Sequence, residues 1–180
     1  AVVLQMEIPV ETTGRVINFA YENKKKIILS LAPARELDRR ILGKVDFLMV
    51  NEVEIQFLCG TKFDINNIND SIISLRRYFK NNIIITLGEM GSVLIDSNDI
   101  VYRCPAYRVK AIDSTAAGDA FTGGFIFGLV ESLSLRKCLE IGNAAGALTV
   151  TKMGAQPSLP FRDELIKFLA GNNSKIEFDR

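Results

Sequence analysis

Apolar runs of strand length alternate with stretches of helical periodicity through the first 87 residues of the chain. Ile27–Leu31, Val45–Val50 and Asn82–Leu87 are apolar at almost every position. A strand that wets one face alternates apolar and polar residues. A strand without alternation is buried on both faces, as in a parallel sheet covered by helices. Between these runs, residues about 11–23 place Val16, Ile17, Ala20 and Tyr21 on one helical face. Short helices are predicted near 36–42 and over 52–59, and a longer one over 69–80 with Ile72, Ile73, Leu75 and Tyr78. Residues 1–6 read as a further strand, ended by Glu7-Ile8-Pro9. The order predicts an α/β layer fold with a mainly parallel sheet.

After residue 87 the pattern changes. Gly88-Glu89-Met90-Gly91 turns the chain into Ser92–Asp96, and Ile100–Cys104 follows at once. These segments are too close for crossover helices, so a β-meander is predicted. Helices are then expected up to Val130, over 134–151 and over 161–169, and the polar tail Asn172–Arg180 is expected to fray. No internal repeat or domain boundary is evident, so residues 1–180 read as a single α/β domain.

Composition excludes several classes of function. The chain of 180 residues has a formal charge of +1, which gives no footprint for nucleic acid. It has no histidine, which removes histidine triads, histidine metal sites and a histidine base. Cys59, Cys104 and Cys138 lie far apart and read as buried thiols of a reducing compartment. No apolar run has membrane-spanning length and no signal-peptide pattern opens the chain, so the cytoplasm is expected. The opening Ala1-Val2-Val3-Leu4 enters a strand directly, which leads us to expect further sequence upstream.

The stretch with most chemistry is Ala111-Ile112-Asp113-Ser114-Thr115-Ala116-Ala117-Gly118-Asp119-Ala120-Phe121-Thr122-Gly123-Gly124. It starts as a small-residue turn and opens a helix, because Phe121, Phe125, Ile126, Leu129 and Val130 recur at helical spacing. First-turn N–H groups lack intrahelical partners and carry the positive end of the helix dipole, which suits phosphate oxygens. A carboxylate beside them, Asp119, suits phosphoryl transfer to a hydroxyl. Taken alone, Gly118-Asp119 is more simply read as a helix cap.

Other strand ends carry polar groups. Asn51-Glu52-Val53-Glu54 follows an apolar run, at the end of a strand where α/β sheets bind ligands. Its bland reading is a capping Asn with two solvated glutamates. Thr86-Leu87-Gly88-Glu89-Met90-Gly91 is a strand end followed by a tight turn. In the helix over 134–151, Gly142 and Gly146 flank Asn143, and close helix packing is the simpler account of the glycines. Thr151-Lys152-Met153-Gly154-Ala155-Gln156-Pro157-Ser158 is a proline-containing loop. There is no G-x-x-x-x-G-K-[ST] and no G-x-G-x-x-G string, which disfavours P-loop and dinucleotide folds.

Together these segments resemble the ribokinase-like (PfkB-type) carbohydrate kinases, with the ribokinase branch nearest. The stretch ending in Gly118-Asp119 is similar to that family's second signature, with Ser114 in place of a Thr. Asn51 and Glu54 match its Asn-x-x-Glu motif, and the loop at 151–158 is similar to that of the ribokinase branch. Leu4-Gln5-Met6-Glu7-Ile8-Pro9 and Ala32-Pro33-Ala34-Arg35-Glu36-Leu37 also resemble that branch, although Ser30-Leu31 stands where Asn-Pro is usual.

The resemblance implies a three-layer α/β/α fold with a mainly parallel sheet, without the family's N-terminal part and lid. It implies Asp119 as catalytic base and Ala116, Ala117 and Gly118 as anion hole. Asn51, Thr86, Gly88, Gly91, Gly118 and Asn143 would bind nucleotide, and Glu7 and Asp119 sugar. Glu54 would act on magnesium through water. Asp113, Thr115, Thr149, Lys152, Gly154 and Ser158 would surround potassium, mostly with carbonyl oxygens. The implied activity is ATP-dependent phosphorylation of a sugar, ribose to ribose 5-phosphate. The alternatives are a fructokinase, a nucleoside kinase, or a truncated non-catalytic nucleotide-binding domain. The expected partners are a small sugar and ATP, without nucleic acid or membrane, in a homo-oligomer.

Overall fold

The structure, a computed structural model, describes residues 1–172, 174 and 176. Most of the tail expected to fray lies outside the described residues. Among the described residues, six strands and seven α-helices make an α/β fold with a mixed sheet. The strands follow one another in the sheet in chain order. The chain forms two compact units. The first holds Ala1–Thr86 and Leu94–Val101, and the second holds Leu87–Val93 and Tyr102 onward.

In the first unit, β1 (Val2–Leu4), β2 (Ile27–Ser30), β3 (Phe47–Asn51) and β4 (Asn82–Thr86) pair in parallel. The core positions of the last three are buried, as their largely apolar runs require. Each strand pairs with the next in sequence, always in one direction. Right-handed crossovers therefore place the intervening helices on one face. These are α1 (Val10–Glu22), α2 (Arg39–Leu42), α3 (Glu52–Cys59) and α4 (Ile68–Arg76).

Some boundaries differ from the sequence reading. The first strand stops at Leu4 rather than residue 6, because Gln5 takes up bonds with Glu7 and the Met6 N–H donates to Ala32 O at 2.9 Å. On α1 the buried face is Thr13, Gly14, Ile17 and Ala20, while Tyr21 is exposed and lies under the Lys44 ammonium. Ile73 of α4 also points outward. Arg76 closes this unit's far corner. Its guanidinium donates to the carbonyls of Phe79, Asn81 and Asp96 and pairs with Asp99 at 2.6 Å.

β5 (Ser92–Ile95) and β6 (Val101–Cys104) complete the sheet. Their five-residue connection leaves no room for a crossover, and the Asp96 carboxylate caps its turn by accepting from the Asn98 and Ile100 N–H groups.

The second unit is built on α5 (Ala117–Val130), α6 (Leu135–Thr149) and α7 (Arg162–Gly171). The face of α5 that packs is only partly the one its large residues suggest. Phe121 and Phe125 are buried with Ala120, Gly124 and Gly128, whereas Val130 is 70% exposed. A Cβ on Gly124 would stand 2.8 Å from Ile141 O, and one on Gly142 would stand 2.9 Å from the Phe121 ring. The glycines let two helix backbones approach closely, which supports the packing account of Gly142. The three cysteines are free, but only Cys138 is fully buried; Cys59 and Cys104 are partly exposed. Burial pushes the Cys59 and Cys138 thiols up to about 11.

Candidate active site

In the first unit, Asn51 and Thr86 are register partners at the C-terminal ends of β3 and β4. Asn51 caps α3. Its Oδ1 accepts from the Val53 and Glu54 N–H groups at 2.9 and 3.0 Å. Glu54 reaches back, accepting from the Asn51 N–H at 2.7 Å and from Asn51 Nδ2 at 2.9 Å. This reciprocal box satisfies the helix start. Asn51 thus caps, as its bland reading has it, and Glu52 is solvated. Glu54, in contrast, is buried. Burial raises its carboxyl pKa above the ordinary value, while the bonds from Asn51 act the other way. Thr86 Oγ1 makes only a long 3.5 Å bond to Val50 O. Glu7 stands apart, beyond the end of β1, exposed and bonded to Gln5 at 2.9 Å.

In the second unit, Leu87 N–H donates to Gly91 O at 2.8 Å and closes a 3₁₀ turn over Gly88–Met90. Gly91 is at φ 97°, with the backbone of Cys104–Ala106 pressed against it. Asn143 is buried on α6, and its Nδ2 donates to the carbonyls of Cys104 and Pro105 at 3.0 and 3.1 Å. Its carboxamide therefore ties the helix to the segment after β6.

The turn before α5 is held by one carboxylate. Asp113 Oδ1 accepts from the Thr115 N–H at 2.9 Å and Thr115 Oγ1 at 2.7 Å. Its Oδ2 accepts from the Gly154 N–H at 2.8 Å, which ties together two loops 41 residues apart. These bonds hold the Asp113 carboxyl below its ordinary pKa, the Thr115 hydroxyl first. The N–H groups of Ile112 and Asp113 both donate to Val150 O. Asp113, Thr115 and Gly154 are thus brought together. Thr149 and Lys152 join the same corner, with Lys152 N–H donating to Thr149 O at 3.1 Å. Ser158 is buried and donates to Ala155 O.

Ala116 is left-handed, at φ 61° and ψ 10°. The Ala117 N–H donates to Ser114 O at 3.2 Å, and Ala120 N–H to Ala116 O at 2.9 Å. Among the described residues, the N–H groups of Gly118 and Asp119 donate to nothing, and apart from its chain neighbours and its own turn of helix no atom lies within 4 Å of where a Gly118 Cβ would stand. Of the predicted hole, then, the open donors are those of Gly118 and Asp119. The Asp119 carboxylate accepts no bond from the described residues. Asp119 lines a cavity of about 300 Å³ with Gly123, Phe127, Leu159 and Arg162.

Two residues of this neighbourhood escape the sequence reading. Arg162 lies over the Phe127 ring at 5.9 Å. Glu164 pairs with Lys152 at 2.9 Å and accepts from the Phe161 N–H, which with Lys152 holds its pKa down. Only the Glu three residues into α7 hints at the second. Among the described residues, no group of three or more His, Cys, Asp or Glu side chains could hold a metal, and no helix is long and apolar enough to cross a membrane.

Residues 1–162 match the pfkB family of carbohydrate kinases. A ribokinase of Lactococcus lactis is 35% identical over 164 residues, covering 91% of this chain and 52% of the relative. A deoxyribokinase of Salmonella typhi is 35% identical over 173 residues, covering 95% and 56%. Among solved structures, the ribokinase of Arabidopsis thaliana complexed with ribose and ATP superposes with a TM-score of 0.86 at 27% identity, covering 97% of this chain and 55% of that one. The chain spans about half the length of the curated relatives it matches.

Proposed function

The chain belongs to the pfkB family of carbohydrate kinases, and on that premise we propose that it carries the nucleotide-handling and catalytic part of an ATP-dependent kinase that converts ribose to ribose 5-phosphate. One observation carries the reading. Four carboxylates were expected in the site. Glu7, Glu54 and Asp113 are committed to Gln5, to Asn51, and to Thr115 with Gly154. Asp119 alone is free of bonds from the described residues, and it stands beside two open N–H donors at the start of a helix. Fixed donors at a helix N-terminus suit the charge that grows on a transferring phosphoryl group. A free carboxylate suits accepting the proton of the attacking hydroxyl.

The other roles follow as proposals. Asn51, Thr86, Gly88, Gly91 and Gly118 would line the phosphates and ribose of ATP, and Asn143 its base. Glu7 would reach the sugar. Both oxygens of Glu54 already accept from Asn51, so the carboxylate fits magnesium through water better than by direct contact. Asp113 with the carbonyls of Thr115, Thr149, Lys152, Gly154 and Ser158 is an all-oxygen donor set, which fits a monovalent cation such as potassium. The proposed setting is the cytoplasm, with the protein as a homo-oligomer.

The Salmonella deoxyribokinase is as similar as the Lactococcus ribokinase, so 2-deoxyribose is a competing substrate. The test uses the protein that carries this chain, with ATP, magnesium and each sugar in turn. Asp119→Asn is expected to keep ATP affinity and to lower turnover about 10²–10⁴-fold, the range of acid–base catalysis. Near-normal turnover would remove Asp119 as the base. Nucleotide binding with no transfer to ribose, 2-deoxyribose or fructose would favour a non-catalytic nucleotide-binding domain.

A further inference from the structure

A feature that the kinase reading leaves unused lies in the first unit, under the irregular segment between β2 and α2. A cavity of about 750 Å³ opens there, within the size range of small-molecule sites. Its floor is apolar, with Leu31 and Leu42 almost fully buried and Leu58 beside them. Tyr78 forms part of the wall, and the Arg39 guanidinium lies over its ring at 4.7 Å. A guanidinium stacked in this way keeps its N–H edge free to meet an anion.

Charge balance around the cavity is uneven. Arg40 is neutralised by Asp38, at 3.3 Å. Arg35 and Arg39 pair with no carboxylate among the described residues, and Arg35 makes only a 3.5 Å bond to Ile8 O. Glu36, the one other acid lining the cavity, leaves an excess of positive charge above the apolar floor.

We propose that this cavity binds a small aromatic anion, its ring on the leucine floor beside Tyr78 and its charge on Arg35 and Arg39. The ring would replace water over an apolar surface, and two guanidiniums would gain the partner the protein does not supply. The site needs neither Asp119 nor the nucleotide loops, so it stands or falls apart from the kinase reading.

The probe is anilinonaphthalene sulfonate, a flat aromatic with one negative charge, and phenylnaphthylamine is its uncharged counterpart. Fluorescence titration of the protein should show saturable binding of the sulfonate. Arg35→Gln and Arg39→Gln, both at exposed positions, should each weaken it about tenfold, as loss of a charge-assisted bond does. Amide shifts on binding should centre on residues 31–42, 57–58 and 78. Unchanged affinity in both variants, equal binding of the uncharged compound, or shifts centred elsewhere would each overturn the proposal. ATP binding should be the same in both variants.

Discussion

Gly91→Ala should be among the most damaging single-methyl additions in this chain. Gly91 sits at φ 97° and ψ −131°, a region that residues with a side chain rarely enter. A Cβ there would stand 2.2 Å from Cys104 O, 2.5 Å from Ala106 N and 2.6 Å from Pro105 C. All three are backbone atoms, so no rotamer change relieves the clash. Backbone strain of this kind costs about 1–3 kcal/mol. Overpacking adds about 1–3 kcal/mol. The sum, about 2–6 kcal/mol, is a large part of the 5–15 kcal/mol or so that holds a typical domain folded. Gly88→Ala is the internal control. Gly88 is also left-handed, at φ 55°, but no atom lies within 4 Å of its would-be Cβ, so only the conformational cost of about 1–2 kcal/mol applies. The assay is urea unfolding followed by circular dichroism. With a slope of about 2 kcal/mol per molar, Gly91→Ala should lower the midpoint by about 1–3 M, and Gly88→Ala by no more than about 1 M. Equal midpoints for the two variants would refute the close approach of the Cys104–Ala106 backbone.

Gly124→Ala should force α5 from α6, since its Cβ would meet Ile141 O at 2.8 Å and Ala145 Cβ at 2.9 Å. A loss of about 1–3 kcal/mol in thermal unfolding is expected, whereas Gly123→Ala, which faces open space, should not destabilise. Glu54 has a raised pKa in the folded state, so the native chain holds its proton above the ordinary value of 4.5 at which the unfolded chain releases it. Stability should therefore fall as pH rises through that window, and denaturation of Glu54→Gln should show a flatter profile there. Asp113 has a lowered pKa, so its contribution is present above 3.8 and lost as pH falls through the folded value. Asp113→Asn should remove that acid dependence and, in a kinase assay at constant ionic strength, blunt the response to potassium.

Much of the fold is legible from residue patterns. The largely apolar runs at 27–31, 45–50 and 82–87 announce buried parallel strands, and Asn51 with Glu54 announces the start of α3. What escapes depends on contacts distant in sequence. The first strand ends early because Met6 pairs with Ala32. On α5 hydrophobic spacing picks out Phe121 and Phe125, which are buried, but also Val130, which is exposed; the small residues Gly124 and Gly128 mark where the helix packs closely. Glu54 looks like a solvated charge beside Glu52, and only the packed strand end reveals that it is buried. Of the candidate site, the identity of the polar residues is legible, but their commitments are not. Nothing local to Asp113 signals Gly154, and nothing local to Asn143 signals Cys104 and Pro105.

Those commitments explain why the turn before α5 holds a strained residue. An alanine in the left-handed region costs about 1–2 kcal/mol. Ala116 is kept there from both sides. Upstream, Ile112 and Asp113 are anchored to Val150, and the Asp113 carboxylate binds Thr115 and Gly154. Downstream, the Ala120 N–H closes onto Ala116 O. The left-handed step reverses the chain, and Ser114 O is taken by the Ala117 N–H. The next two N–H groups are thereby left without a carbonyl to meet. Were the turn loose, these donors would find partners within the chain or scatter in solvent. Held as it is, the turn fixes two donors and a free carboxylate before any ligand arrives. Pre-organisation of that kind is what electrostatic catalysis of phosphoryl transfer requires, since donors already in place need not reorient as charge develops.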